Sequence, residues 1–181
     1  MNSLLIIGQT FPEPTTTAAG GRMLQLIEMF TSHGYGITFA SSASSSEKSF
    51  NLNSIGVTTQ QIAINDSSFD DFVRQLNPTL VLFDRFVTEE QFAWRVTQSC
   101  PKALKILDTE DLHFLRKARQ QSLKDATDVK DANLFTETAK REIASILRCD
   151  LSLIISEFEM KLLTDTFAVS KEILYYLPFM V

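Results

Sequence analysis

The stretch Asp108-Thr109-Glu110-Asp111-Leu112-His113, continuing to Arg116 and Arg119, gathers three acids, a histidine and basic residues directly after an apolar run. Carboxylates and an imidazole so grouped can transfer protons or bind hydroxyl groups. A helix from about Glu110 to Lys124 would explain part of this by capping, with Thr109 as N-cap and Glu110 and Asp111 favouring the helix dipole. It leaves Asp108 and His113 unexplained, and these two are the candidate catalytic residues. On such a helix Asp111 and His113 point in different directions, and His113 stands near Arg116 and Lys117. No metal site is expected, because the chain has only two histidines and neither cysteine has metal-ligand spacing.

Three further groups have the right types for binding. Gly20-Gly21-Arg22 follows a long Pro- and Thr-rich approach (Phe11-Pro12-Glu13-Pro14-Thr15) and precedes a helical pattern at Met23, Leu26, Ile27 and Phe30. A glycine turn onto a helix start exposes unpaired amides and partial positive charge, and Arg22 adds a full one, so this point is expected to hold a phosphate or carboxylate. Asp84-Arg85-Phe86 follows another apolar run, and its guanidinium fork suits phosphates or carboxylates. Ser156-Glu157-Phe158-Glu159 reads first as a capping box, with Glu157 free to face a ligand. The binding set is therefore Gly20, Gly21, Arg22, Asp84, Arg85, Asp111 and Glu157. There is no Gly-x-Gly-x-x-Gly, no Walker lysine and no Gly-x-Ser-x-Gly elbow.

The elements that must place these residues alternate. Apolar runs at 3–7, 37–41, 61–64, 79–83, 103–107, 151–155 and 173–177 predict strands, and most are separated by segments of 3.6 period. Gly34 marks a helix end, Pro78 closes a stripe formed by Phe69, Phe72, Val73 and Leu76, and Thr88 with Gln91 reads as a capping box. Short apolar strands alternating with helices predict an α/β fold: a Rossmann-like, three-layer, doubly wound parallel sheet of about seven strands. In such sheets ligands bind beyond the carboxyl ends of the strands, which is where all the polar groups above fall. Residues 42–54, rich in Ser and Asn, predict a mobile loop. Trp94 and the Phe stripes are expected in the core.

At 181 residues, with 44% hydrophobic residues and a net charge of -5, the chain suits one folded domain and disfavours general nucleic-acid binding. Cys100 and Cys149 read as buried small hydrophobes in a reducing compartment. The chain lacks a signal-peptide pattern and an apolar run of membrane-spanning length, so a cytoplasmic location is expected. Arg116, Lys117, Arg119 and Lys124 read as a solvated helix face, with peripheral contact to an anionic membrane as the second reading.

The order of these motifs resembles the opening of group 1 retaining glycosyltransferases of the two-domain GT-B type. The resemblance rests on an apolar strand, a Pro-containing loop, Gly20-Gly21, a helix followed by His33-Gly34-Tyr35, and a strand. Cys149 to Glu159 is similar to the last strand-and-helix unit of that family's first domain, and Leu177-Pro178 to the hand-over to its second. The stretch from Phe83 to Arg119 resembles a bacterial subgroup. The resemblance implies that residues 1–181 are an N-terminal, acceptor-side domain and that a donor-binding C-terminal domain lies outside this chain. It implies transfer of a sugar from a nucleotide sugar to a bacterial surface glycan or glycoconjugate, with no cofactor beyond the donor and no turnover by this part alone. Gly20 and Gly21 would approach the donor phosphates or the acceptor. Many members place a histidine just beyond the fifth strand, where this chain has Asp108, with His113 five residues on. Two other readings stand beside it: a non-catalytic flavodoxin-like module binding a small anion or a protein, and another nucleotide-dependent enzyme such as a dehydrogenase or epimerase.

Overall fold

The computed structural model describes residues 2–180. Seven strands form one sheet: β1 (Ser3–Gly8), β2 (Gly36–Ser41), β3 (Thr58–Gln61), β4 (Leu80–Asp84), β5 (Leu104–Asp108), β6 (Leu151–Ile154) and β7 (Leu174–Tyr176). Their order is β3-β2-β1-β4-β5-β6-β7, and every pairing is parallel. Six α-helices connect them: α1 (Ala18–Ser32), α2 (Ser68–Leu76), α3 (Arg85–Ser99), α4 (His113–Lys124), α5 (Glu137–Arg148) and α6 (Glu157–Asp165). The Rossmann-like α/β reading holds, and the strand order reverses between β1 and β4.

Strand alternation sorts the core into two layers. Leu5, Ile7, Val81, Phe83 and Leu107 face one side and pack against apolar residues of α2 to α6. Leu4, Ile6, Leu82 and Ile106 face the other and meet α1, Leu52 and, at the chain's end, Leu177 and Met180. Coverage is therefore uneven, since among the described residues α1 is the only α-helix that contributes to the second layer.

Six of the seven expected strands lie within a residue of their predicted bounds. The third is corrected: it runs Thr58–Gln61, not 61–64. It is an edge strand of mostly exposed polar residues, so no apolar run marks it; Ile62 only continues its last hydrogen bond, from its amide to the Ser41 carbonyl. Gly34 does end α1, at φ 79°, and Asn77 in the left-handed region ends α2 just before Pro78. Trp94 is also corrected: it is 50% exposed, with the Arg95 guanidinium over its ring. Both cysteines are buried. The 42–54 segment is largely irregular, and it is tied to the β1–α1 loop by Ser46 donating to Glu13 and the Phe50 amide to the Pro12 carbonyl.

Candidate functional site

The reversal of strand order opens a crevice at the carboxyl ends of β1 and β4, the place where open parallel sheets bind ligands. Asp84 ends β4 there. One of its carboxylate oxygens accepts the Gln9 amide at 3.1 Å, which ties the two strand tips together. Arg85 begins α3 with φ 70° and turns its Nε to Asp84 Oδ1 at 3.1 Å and to Glu110 Oε2 at 3.1 Å. Glu110 also sits in the left-handed region, at φ 59°. Non-glycine residues there are strained by about 1–3 kcal/mol each, and such strain concentrates at functional sites. Asp84, Arg85 and Glu110, with Pro12, Glu13, Thr17 and Gly20, line a cleft of about 120 Å³.

The charge of this cleft is not that of a phosphate site. Burial pushes the Glu110 carboxyl up to about 8; the Asp84 carboxylate adds to the rise and Arg85 opposes it. Hydrogen bonds from Ser46 and Thr16 hold Glu13 below the usual carboxylate range. The single guanidinium thus stands among three carboxyl groups, one of them inclined to keep its proton at neutral pH.

The expectation of bare amides at Gly20-Gly21 is corrected. The helix begins two residues earlier, at Ala18, with Thr17 as N-cap. The Gly20 amide donates to Thr17 Oγ1 at 3.0 Å and the Gly21 amide to the Thr17 carbonyl at 3.3 Å. The glycines sit in the first helical turn for different reasons. A Cβ on Gly20 would lie 2.5–2.7 Å from backbone atoms of Glu13, so Gly20 lets the cleft wall pack on the helix; Gly21 has open space around it. Arg22 is corrected too. It is 1% exposed, and its Nε and Nη2 grip Asp108 at 2.9–3.1 Å. Its Nη1 donates to the Leu177 carbonyl at 3.0 Å. Asp108, fully buried, is held by that pair; burial pushes its carboxyl up and Arg22 opposes the shift. This ion pair bolts α1, the tip of β5 and the 177–180 segment together and presents no free charge to a ligand.

The helix after β5 also starts later than expected, at His113 and not near Glu110. Thr109 is not its cap; its hydroxyl donates to the Leu153 carbonyl. The helix start is instead capped by distant carboxylates, Glu159 on the Leu112 amide and Glu142 on those of His113 and Phe114. Asp111 therefore lies outside the helix. It pairs with Arg116 at 3.2 Å, and its other oxygen stands 3.8 Å from His113 Nδ1, so Asp111 and His113 converge where the sequence pattern set them apart. Arg119 stacks on Phe158, and Lys117 reaches Thr138 at 3.5 Å.

Glu157 opens α6 and is exposed, away from the cleft. Ser156 does cap that helix through the Glu159 amide at 3.2 Å. Thr88 caps nothing, because α3 already begins at Arg85. A larger open groove of about 700 Å³ lies by Trp94, Lys105 and Arg148, but Arg148 there is paired with Glu89 and Lys105 belongs to the start of β5, so it is not part of the rim. Among the described residues no group of three or more His, Cys, Asp or Glu side chains is placed to hold a metal, and no helix is long and apolar enough to cross a membrane.

Two residues escaped the sequence reading. Glu110 looked like a helix-dipole acid, and only its left-handed backbone reveals otherwise. Glu142 carried no signal, because its partners lie 28 and 29 positions away.

No protein-family model and no curated protein matches the sequence. Solved structures do. A sucrose-phosphate synthase from Thermosynechococcus elongatus superposes with a TM-score of 0.68 over 98% of this chain and 48% of its own, at 11% identity. The lipopolysaccharide outer core galactosyltransferase WaaB gives 0.60 over 98% of this chain and 46% of its own, at 13% identity. An alpha-glucosyltransferase in complex with UDP-glucose and DNA gives 0.56 over 99% and 43%, also at 13% identity. The chain spans about half the length of these structures. It has the fold of a GT-B glycosyltransferase domain.

Proposed function

We propose that this chain is the acceptor-side domain of a retaining glycosyltransferase. It would work with a donor-binding domain to move a sugar from a nucleotide sugar to a hydroxyl of a bacterial surface glycan or glycoconjugate. The observation that carries this reading is the cleft at the β1/β4 switch point, lined by Asp84, Arg85 and Glu110, in a chain whose whole length follows the GT-B fold.

The charge of the cleft supports the acceptor role over the donor role. A diphosphate would meet three carboxyl groups and one guanidinium already shared between two of them. An uncharged, hydroxyl-rich ligand suits it better. The Asp84 carboxyl oxygens accept from hydroxyls, protonated Glu110 can both donate and accept, and Arg85 donates. With Gly20, Gly21 and Arg22 engaged inside the domain, stabilisation of the departing nucleoside diphosphate falls to groups beyond this chain. His113 offers a further contact to sugar at the same end of the sheet.

The test is nucleoside diphosphate release by the full-length protein from a panel of nucleotide sugars, with and without bacterial surface glycans as acceptors. One donor should be consumed, and an acceptor should accelerate it. Absence of release from every donor would overturn the reading.

A further inference from the structure

His113 is held tightly and left unsatisfied. Its ring packs edge-on to Phe86, with centroids 5.6 Å apart. Its Nδ1 is buried without a hydrogen-bond partner, yet it faces two carboxylates: Glu142 Oε1 at 3.6 Å and Asp111 Oδ1 at 3.8 Å. These come from different elements and both are fixed. Glu142 is 1% exposed and is anchored by the amides of His113 and Phe114; Asp111 is anchored by Arg116. Two other charged groups stand nearby: Glu159, which takes the Leu112 amide and lies close to Asp111 and Glu142, and Arg141, which lies over Phe86 and is paired with Glu90. Nε2 makes no hydrogen bond and is not among the buried unpartnered atoms, so it reaches solvent.

A neutral imidazole carries one proton, and the environment of each nitrogen decides where it sits. Two carboxylate oxygens facing Nδ1 favour N–H there and disfavour a lone pair. We propose that Glu142 and Asp111 are positioning residues that hold His113 in the Nδ1–H form, so that its bare Nε2 faces outward as a hydrogen-bond acceptor for a sugar hydroxyl. The hydroxyl as ligand rests on the functional reading above; the positioning does not. It also gives Glu142 a second task, since the carboxylate that caps α4 orients the side chain at its first residue.

The experiment is long-range proton–nitrogen correlation NMR of the 181-residue chain with labelled histidine, at a pH where His113 is neutral. His113 should show a protonated Nδ1 and a bare Nε2, the reverse of the form free imidazole side chains prefer. Asp111→Asn and Glu142→Gln should each shift the population toward the Nε2–H form. Asp111 is partly exposed and its variant keeps the α4 caps, so a folding failure of the Glu142 variant leaves the test intact. A wild-type His113 protonated on Nε2, or a tautomer that Asp111→Asn leaves unmoved, overturns the proposal. No substrate enters this measurement. An Nδ1–H His113 in a protein that transfers no sugar would sink the functional reading and leave the positioning standing.

Discussion

Glu110→Gln should stabilise the chain at alkaline pH and change little at acid pH. The Glu110 side chain is 12% exposed, and burial beside Asp84 raises its carboxyl from 4.5 to about 8 against the pull of Arg85. The native state therefore keeps a proton that the unfolded chain releases near the ordinary value. The stability this proton contributes is complete below about 4.5 and is lost as the pH rises through about 8. At about 1.4 kcal/mol per pH unit, that window allows a loss of at most about 5 kcal/mol, with the pull of Arg85 already included and part of the remainder screened by solvent. Gln mimics the protonated acid and has nothing to release, so the variant escapes the loss. Urea unfolding of both proteins at acid and alkaline pH reads the difference directly. With a slope of about 2–3 kcal/mol per molar, even half the upper bound moves the midpoint by about 1 M. Titrating groups away from the Asp84–Glu110 pair cancel in the comparison. Equal gaps at the two pH values, or a variant less stable at alkaline pH, would refute the reasoning.

Arg22→Met should cost about 3–5 kcal/mol in urea unfolding, because it strands Asp108 without a counter-charge, and adding Asp108→Leu should recover most of that; a single-variant cost below about 1 kcal/mol would contradict the buried-pair account. Gly20→Ala should lose about 1–3 kcal/mol by forcing the Glu13 backbone away, whereas Gly21→Ala, with open space around it in a helix, should gain up to about 1 kcal/mol in the same measurement.

The sheet was legible because its central strands are buried on both faces and read as apolar runs such as Leu4 to Ile7 and Leu151 to Ile154. The polar edge strand Thr58–Gln61 has no such run, and it was misplaced by three residues. The rim followed from the parallel topology, and with it the positions of Asp84 and Arg85. What each charge does there was not legible. Arg22 and Asp108 are 86 positions apart, and only the fold reveals that they neutralise each other. Helix starts were read from a glycine turn at α1 and from capping patterns at α3 and α4, and all three readings misled; α3 begins at Arg85, ahead of Thr88. Thr17 caps α1 ahead of the glycines, and α4 takes its caps from Glu142 and Glu159 on other helices, which no local pattern encodes. Trp94 was assigned to the core by residue type, but it lies at the surface beneath Arg95.

The cleft between the tips of β1 and β4 is the proposed seat of the acceptor hydroxyl. Steady-state transfer by the full-length protein carrying Arg85→Gln, which frees Asp84 and Glu110 from their shared guanidinium, addresses it most directly. The prediction is a fall in kcat/KM toward the acceptor of about 100-fold with the fold intact, as expected when a positioned reactant is released. An unchanged kcat/KM in a folded variant would place the acceptor elsewhere.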